Sequence, residues 1–510
     1  MSWSDGYVTE IDYTHGYYRE LSPVILDYAL LMKGLARPKG GPLRYLELGF
    51  GQGLSLNIHA AACPGEYWGT DFSPSQAVHA AELGRRSGSG VHVINESFSD
   101  FLARDDLPSF DVIGIHGIWS WISASARQDL LKIISRKLNA GGIVYISYNC
   151  FPGFSSVHPI QHLMALHAAA NTGQDVKKRI DGSLDFIEEL GAAGARFFSA
   201  NPGTLDRVKD IRTKDKRYVA HEYFNQNWYC STFAEMAGDM GAHRLSFAGS
   251  AHLLDHVVGV QLSPAAQAIV NRIHDTTLQE TTRDYFINQQ FRRDIFGKGL
   301  VKLSPVEQRV RLGAMHFVLT ARPEAIKLEV IGGVGKVQLR PEIYEPIIAT
   351  LKTAEGRPML LGDLCADAKV ASLATEQIIE ALLLLVATGS VAPTQPPDVI
   401  AASDATCRSL NGAIFEGAQT SDEMQFLASP VLGSGVPISR IHRLFLGARR
   451  EGFTRDEDLI RVVGRRVRAR DPLRPVPPET ALEPALQESL EKDLASFKQQ
   501  EPIWTSLGIL

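Results

Sequence analysis

The stretch LRYLELGFGQGLSL, residues 43–56, decides the fold. LRYLEL reads as a short apolar strand. Gly49, Gly51 and Gly53 follow it in GxGxG spacing, and GLSLNIHAAAC reads as a helix that opens at those glycines. A strand that passes through a glycine turn into a helix is how a βαβ unit begins. Glycine loops also serve plain strand-to-helix turns, so the surrounding elements have to supply the meaning.

Working outward, ELSPVILDYALLMKGLARP reads as a helix, with Ser22 as N-cap and Pro23 in the first helical position. GEYWGTDFS is a strand ending at Asp71, PSQAVHAAELGRRSG a helix closed by glycine, and VHVINESF a strand. FDVIGIHG, the helix in ISASARQDLLKIISRKLNAGG and the strand GIVYISYN continue the alternation. Strands alternating with helices imply a parallel sheet covered on both faces, so the expected class is a doubly wound α/β, Rossmann-like domain. The expected division is a core over residues 1–155, a helical insertion (lid or dimerisation) over 156–220, and the end of the core with a regulatory region over 221–300. A middle domain with a winged-helix-like pattern follows over 301–400, then a helical C-terminal domain over 401–510. STFAEMAGDMGAHRLSFAGSAHLL reads as a helix and strand that finish the sheet. The stretch AQAIVNRIHDTTLQETTRDYFINQQFRRDIFGKGL reads as mostly helical, with FRRD as a charged helix face. DPLRPVPPE (residues 471–479) reads as a Pro-rich linker.

The chain has 510 residues, more than one core holds. Net charge is −5, which argues against a whole-protein nucleic-acid binder. The five cysteines are scattered without a CxxC pair, as in a reduced thiol population, and suggest neither a disulfide framework nor a zinc site. No apolar run approaches the ~20 residues of a membrane span. The polar N-terminus lacks a signal-peptide pattern. These readings place the protein in the cytoplasm.

A sheet with a glycine loop suits NAD, FAD or S-adenosylmethionine (SAM). Three features favour SAM. Glu47 stands just before the glycines, where a carboxylate suits an amino group and repels a pyrophosphate. Asp71, at the end of the next strand, is placed to accept from ribose hydroxyls, although NAD sites use an acid there too. In NESFSDF, the residues Glu96, Ser97 and Phe98 are candidates to surround adenine.

The segments YVTEIDYTHGYYRELSP, YLELGFGQGLSL, GTDFSPSQ, HGIWSWIS, YISYNCFPGF, VAHEYFNQNW and RDYFINQQFRRDIFGKG resemble the bacterial SAM-dependent methyltransferases with a methyltransferase regulatory domain. That group includes the rickettsial lysine methyltransferases that act on outer-membrane proteins. The resemblance covers roughly residues 5 to 300. It implies a class I methyltransferase fold, SAM as methyl donor, additional C-terminal domains and, through the lysine methyltransferases, a homodimer. It does not carry the substrate over. Phe50 stands where many relatives have Cys, a position that works through its backbone.

Methyl transfer needs an acceptor lone pair in line with the methyl carbon, about 3–3.5 Å away. A lysine acceptor must first lose its proton, and aromatic faces attract both the sulfonium and the methylated product. Candidate rim residues are Tyr13, Tyr17 and Tyr18 before the first strand, Trp119 and Trp121 after the fourth, and Tyr148, Phe151 and Phe154 after the fifth. Packing of helices on the sheet is the competing role, strongest for Trp121 and Phe154. The expected catalytic set is His116 (a proton acceptor or a bonded strand-end histidine), Tyr148, Glu222 and Tyr17. The expected cofactor set is Glu47, Gly49, Gly51, Gly53, Asp71, Phe72, Glu96, Ser97, Phe98, His116 and Tyr13. His221, Tyr223 and Asn149 are further polar candidates, and no metal is expected. RRVRARD (residues 465–471) reads as a solvated basic face or a dock for an acidic partner. Three functions stay open: a protein methyltransferase acting on lysine, a small-molecule N-, O- or C-methyltransferase, and a SAM-sensing interaction protein. An NAD dehydrogenase ranks last, because the GxGxxG spacing is missing.

Overall fold

A computed structural model describes residues 6–7, 14–38, 40–171, 173, 175–469 and 481–510. Tyr13 and the Pro-rich stretch 471–479 lie outside the described residues. The central sheet has seven strands: β1 (Leu43–Leu48), β2 (Gly65–Thr70), β3 (His92–Ile94), β4 (Phe110–Ile115), β5 (Leu138–Asn149), β6 (Ser246–Ser250) and β7 (Phe291–Gly297). Their order is β3-β2-β1-β4-β5-β7-β6. β1 to β5 pair in parallel, and β7 runs antiparallel to both β5 and β6. The strand order reverses between β1 and β4, the point at which open α/β sheets bind ligands.

The helices that cover this sheet are α1 (Pro23–Met32), α2 (Leu54–Ala62), α3 (Pro74–Ser87), α4 (Phe98–Ala103), α5 (Ala124–Lys137) and α6 (Phe233–Ala242). Strand alternation decides which side chain meets which helix. Tyr45, Val112, Ile143 and Tyr145 join Leu26 and Leu30 of α1, Leu56 of α2 and Ala80 of α3 in one core. Leu46, Leu48, Ile113, Val144 and Ile146 join Leu130 and Ile134 of α5 and Met236 and Met240 of α6 in another. The sheet is therefore covered on both faces, as the sequence pattern requires.

The segment FRRD is a correction. It lies in β7, not on a helix. The helix α7 (Thr276–Ile287) stops at Asn288, whose φ of 48° is left-handed. Three residues later, at Phe291, the chain is extended. Arg292 and Asp294 are two apart and so share a strand face. The Arg292 guanidinium donates to Asp294 at 2.8 Å, Asp284 at 2.6 Å and Glu280 at 3.1 Å. The expected charged helix face is instead a strand whose Arg292 and Asp294 are buried and paired.

Between β5 and α6 lie the helices His158–Ala170, Val176–Ala192, Arg196–Ala200, Thr204–Arg212 and Lys216–Tyr223. They pack on a core of their own that includes Met164, Leu184, Ile187 and Val208. Beyond β7, a three-stranded antiparallel sheet (Met359–Leu360, His316–Leu319, Val391–Thr394) carries the helices Pro341–Lys352, Leu361–Ala366 and Thr375–Ala387. The C-terminal region is the helices Pro397–Gly417, Arg440–Arg450, Asp456–Arg468 and Pro484–Ser506 with a hairpin, Phe426–Ser429 and Ser434–Pro437. It packs behind α2: Gln395 donates to Ala62 O at 2.7 Å and Thr406 to Ala61 O at 2.6 Å. In the basic run, Arg466 pairs with Glu451 and Arg468 donates to Ala481 O. No described helix is long and apolar enough to cross a membrane.

Candidate active site

A cavity of about 690 Å³ opens at the C-terminal ends of β1, β2, β4 and β5. That volume falls in the usual ligand-pocket range of roughly 300–1,000 Å³. One end is built on the glycine loop. Gly49, Gly51 and Gly53 have φ values of 73°, 58° and 72°, left-handed conformations that glycine alone adopts without strain. A Cβ on Gly51 would meet nothing within 4 Å, so this turn leaves its space to the cavity. Asp71 holds the loop in place. It accepts from Gly51 N and from Ser73 N, both at 2.9 Å.

Two of the acids at this end, Glu47 and Asp71, are buried and weakly compensated. Glu47 is 4 % exposed. Its donor among the described residues is Tyr45 Oη at 3.4 Å. Burial pushes the Glu47 carboxyl up to about 8, against the Tyr45 bond, and the Asp71 charge adds to the rise. Burial likewise lifts Asp71 to about 6, against its two backbone donors. Glu96 accepts from Arg104 at 2.8 Å through one oxygen, while its other oxygen is buried without a partner among the described residues. Three acidic side chains at this end of the cavity disfavour a pyrophosphate, which needs donors. They suit a ligand that brings its own cationic centres and hydroxyl donors, as SAM does.

Glu47, Gly49, Gly51, Asp71, Phe72, Glu96, Ser97, Phe98 and His116 all line the cavity. Gly53 does not. A Cβ there would lie 2.4 Å from Ala80 Cβ, so Gly53 lets α2 pack closely on α3. His116 sits in the middle. Its Nδ1 shares a hydrogen bond with Tyr145 Oη at 2.7 Å, and its ring stacks on Tyr18 with centroids 3.6 Å apart. Burial depresses its pKa to about 3; nearby Glu20 opposes the fall and Arg293 adds to it. At neutral pH this ring is uncharged and a weak base, which favours the bonded strand-end role over proton transfer. Burial pushes the Glu20 carboxyl up, yet Arg293, paired with it at 3.4 Å, and other nearby charges hold it below its usual range.

The other end is aromatic. Trp121 and Trp228 lie parallel with centroids 5.8 Å apart, and Phe154 and Tyr223 present edges to Trp228 at 5.4 and 6.3 Å. Glu222, Tyr218, Arg207 and Asn149 line the same cavity. Tyr7, from the N-terminal segment, packs between Phe72 (5.7 Å) and His221 (5.2 Å).

Two expected catalytic residues are misplaced. Tyr148 is 1 % exposed and does not line the cavity. Its hydroxyl donates to Asp294 Oδ2 at 2.7 Å. Strand alternation puts Tyr145, Ser147 and Asn149 on the cavity side of β5 and Tyr148 on the other. Tyr17 points away from its neighbour Tyr18: its hydroxyl meets His59 Nε2 at 3.1 Å and accepts from Gly435 N at 2.7 Å. Trp119 is core as well, donating to Ser231 Oγ at 3.1 Å. Trp121 and Phe154, for which packing looked strongest, line the cavity. Glu20, Trp228, Gln290 and Arg293 also line it and were not expected. The period-two pattern of β7 would have offered Phe291 and Arg293, had that stretch been read as a strand.

The sheet order, the reversed β7 and the acid-rimmed glycine loop define a class I SAM-dependent methyltransferase. Residues 46–144 match the family described as "Methyltransferase domain", and residues 215–298 match "Predicted methyltransferase regulatory domain". An uncharacterized protein of Synechocystis sp. is 38% identical over 452 residues, 88% of each chain. An uncharacterized protein of Rickettsia prowazekii is 25% identical over 324 residues, 62% of this chain and 57% of that protein. The structure of PKMT2 from Rickettsia typhi in complex with AdoHcy shares the fold over 97% of this chain and 99% of that one, with a TM-score of 0.68 at 17% identity. The chain belongs to the family of SAM-dependent methyltransferases that carry the methyltransferase regulatory domain.

Residues 215–298 contain β6 and β7 and supply Tyr218, His221, Glu222, Tyr223, Trp228, Gln290, Phe291 and Arg293 to the cavity. The region that bears the regulatory description is thus part of the sheet and of the cavity wall.

Proposed function

We propose that this methyltransferase acts on an amino group of a protein side chain, most simply the lysine ε-amine. The observation that carries the reading is the aromatic wall of Trp121, Trp228, Phe154 and Tyr223 in a cavity that the Glu222 carboxylate also lines. Aromatic faces attract a cationic amine and its methylated products, and an acid at the rim draws the ammonium in. Desolvation between the rings lowers the amine pKa, so the proton leaves to solvent and the lone pair is exposed. The depressed basicity of His116 fits a site in which burial, not a strong base, frees the acceptor.

When bound, SAM supplies a methyl group on a sulfonium, already activated toward a nucleophile. We assign the binding of its amino end to Glu47 and the glycine loop, its ribose to Asp71, and its adenine to the surroundings of Phe72, Ser97 and Phe98. The PKMT2 name of the structural neighbour supports a protein acceptor.

The experiment is incubation of the purified protein with methyl-labelled SAM and a bacterial lysate, followed by separation by size and peptide mapping. Label on lysine in the protein fraction is expected. Label confined to small molecules would replace the proposal with a small-molecule methyltransferase, and SAM binding without label in either fraction would indicate a sensing role.

A further inference from the structure

The last residue of β5 places a buried amide on the cavity wall. Asn149 is 5 % exposed and lines the cavity. Its backbone is fully engaged: the N–H donates to Ser120 Oγ at 2.8 Å, and the carbonyl accepts from Ser231 N at 3.0 Å. Its amide Nδ2 is buried and has no hydrogen-bond partner among the described residues. Trp228 Nε1 is in the same condition. A buried amide without a protein partner is costly, and on a cavity wall a bound ligand or water is placed to complete it. A half-turn of the amide exchanges its nitrogen and oxygen, so the same side chain can present a carbonyl to an N–H.

Its position says which ligand atom it meets. Asp71 follows β2 and Glu96 follows β3, on one side of the switch between β1 and β4. Asn149 ends β5, on the other side, across the antiparallel register from Phe291. That is the aromatic end.

We propose that Asn149 is the residue that hydrogen-bonds the methyl-accepting nitrogen. This rests on the amine reading above. A neutral amine donates one N–H to the Asn149 carbonyl oxygen, and its lone pair is left pointing away from Asn149, toward the methyl. The N–C bond forms as the C–S bond breaks, the C–S electron pair stays on sulfur, and the product nitrogen carries the positive charge. The amine's earlier proton has already gone to solvent.

The test measures S-adenosylhomocysteine affinity by calorimetry beside the initial rate of methyl transfer from labelled SAM into the lysate protein fraction, for the parent, Asn149→Ala and Asn149→Asp. Peptide mapping of the parent's product names the acceptor atom, so failure of the amine reading is seen in the parent alone and failure of the Asn149 assignment in the variants. Asn149→Ala is expected to bind S-adenosylhomocysteine within about twofold of the parent and to lose at least tenfold in transfer rate. Asn149→Asp, which keeps an acceptor oxygen, is expected to recover most of that loss. Because the amide is unpaired, the unliganded Asn149→Ala protein should melt no lower than the parent. An unchanged transfer rate in Asn149→Ala, an equal loss of cofactor affinity and transfer, no recovery in Asn149→Asp, or a clear fall in Tm would overturn the proposal and make Asn149 a turn-shaping residue.

Discussion

At its cofactor end the cavity is made from one contiguous stretch, residues 43–98, largely by backbone and carboxylates. At its aromatic end it is made by side chains brought from Tyr18, Trp121, Asn149, Trp228 and Phe291. The first end depends on conformations that only glycine adopts cheaply, so its residues are local and spaced. The second depends on which face of a strand or helix a residue occupies, so its residues are distant and unspaced. On the proposed reading the first end takes the methyl donor and the second the acceptor.

Substitutions should separate the two ends. The largest effect is expected from Gly53→Ala. A Cβ there meets Ala80 Cβ at 2.4 Å, a short side chain that cannot yield, and φ is 72°. The strain and overpacking together should cost about 2–4 kcal/mol of stability, read as a lower Tm, with weakened cofactor binding alongside. Next is Asp71→Ala. It frees the Gly51 and Ser73 N–H groups and should weaken S-adenosylhomocysteine binding by about 1.5–3 kcal/mol in calorimetry. A change under twofold would remove Asp71 from the cofactor end.

Tyr148→Phe tests the corrected placement. Loss of the donor to Asp294 should cost about 1–3 kcal/mol of stability while cofactor affinity stays unchanged. Reduced turnover at unchanged stability would return Tyr148 to the site.

The smallest signal is a proton. Glu47, raised to about 8, is mostly protonated at pH 7 in the free protein. A cationic ligand beside it favours the carboxylate, so binding should release about one proton at pH 7. Affinity should therefore rise with pH toward 8 and then level off. The calorimetric enthalpy should vary with the ionisation enthalpy of the buffer, and Glu47→Gln should abolish both effects. The sign for stability is the reverse. A carboxyl whose folded pKa lies above its unfolded value, roughly 4.3, stabilises the unliganded fold fully at low pH, and that contribution is lost as pH rises through about 8. A binding enthalpy independent of buffer would place the ligand's cation elsewhere.

Legibility follows the same division. The glycine loop, Glu47 and Asp71 could be read because strand, turn and helix signals adjoin them. The first five strands and the helices between them were legible for the same reason. β7 was not. Its Arg-Arg-Asp run mimics an exposed helix, and its true partners, Glu280 and Asp284, lie in α7. Tyr148 and Tyr17 were misjudged as rim residues because proximity to a strand end does not say which face a side chain takes. Counting by twos from Tyr145 through Ser147 to Asn149 would have excluded Tyr148. Nothing local marks Trp228, whose place is set by the packing of the inserted helices.

The most direct test is S-adenosylhomocysteine calorimetry on Trp228→Ala, run beside methyl incorporation from labelled SAM into the lysate protein fraction. Separable ends predict a Kd within about twofold of the parent with incorporation down at least tenfold. A loss of cofactor affinity as large as the loss of transfer would contradict the separation and make the aromatic wall part of the cofactor site.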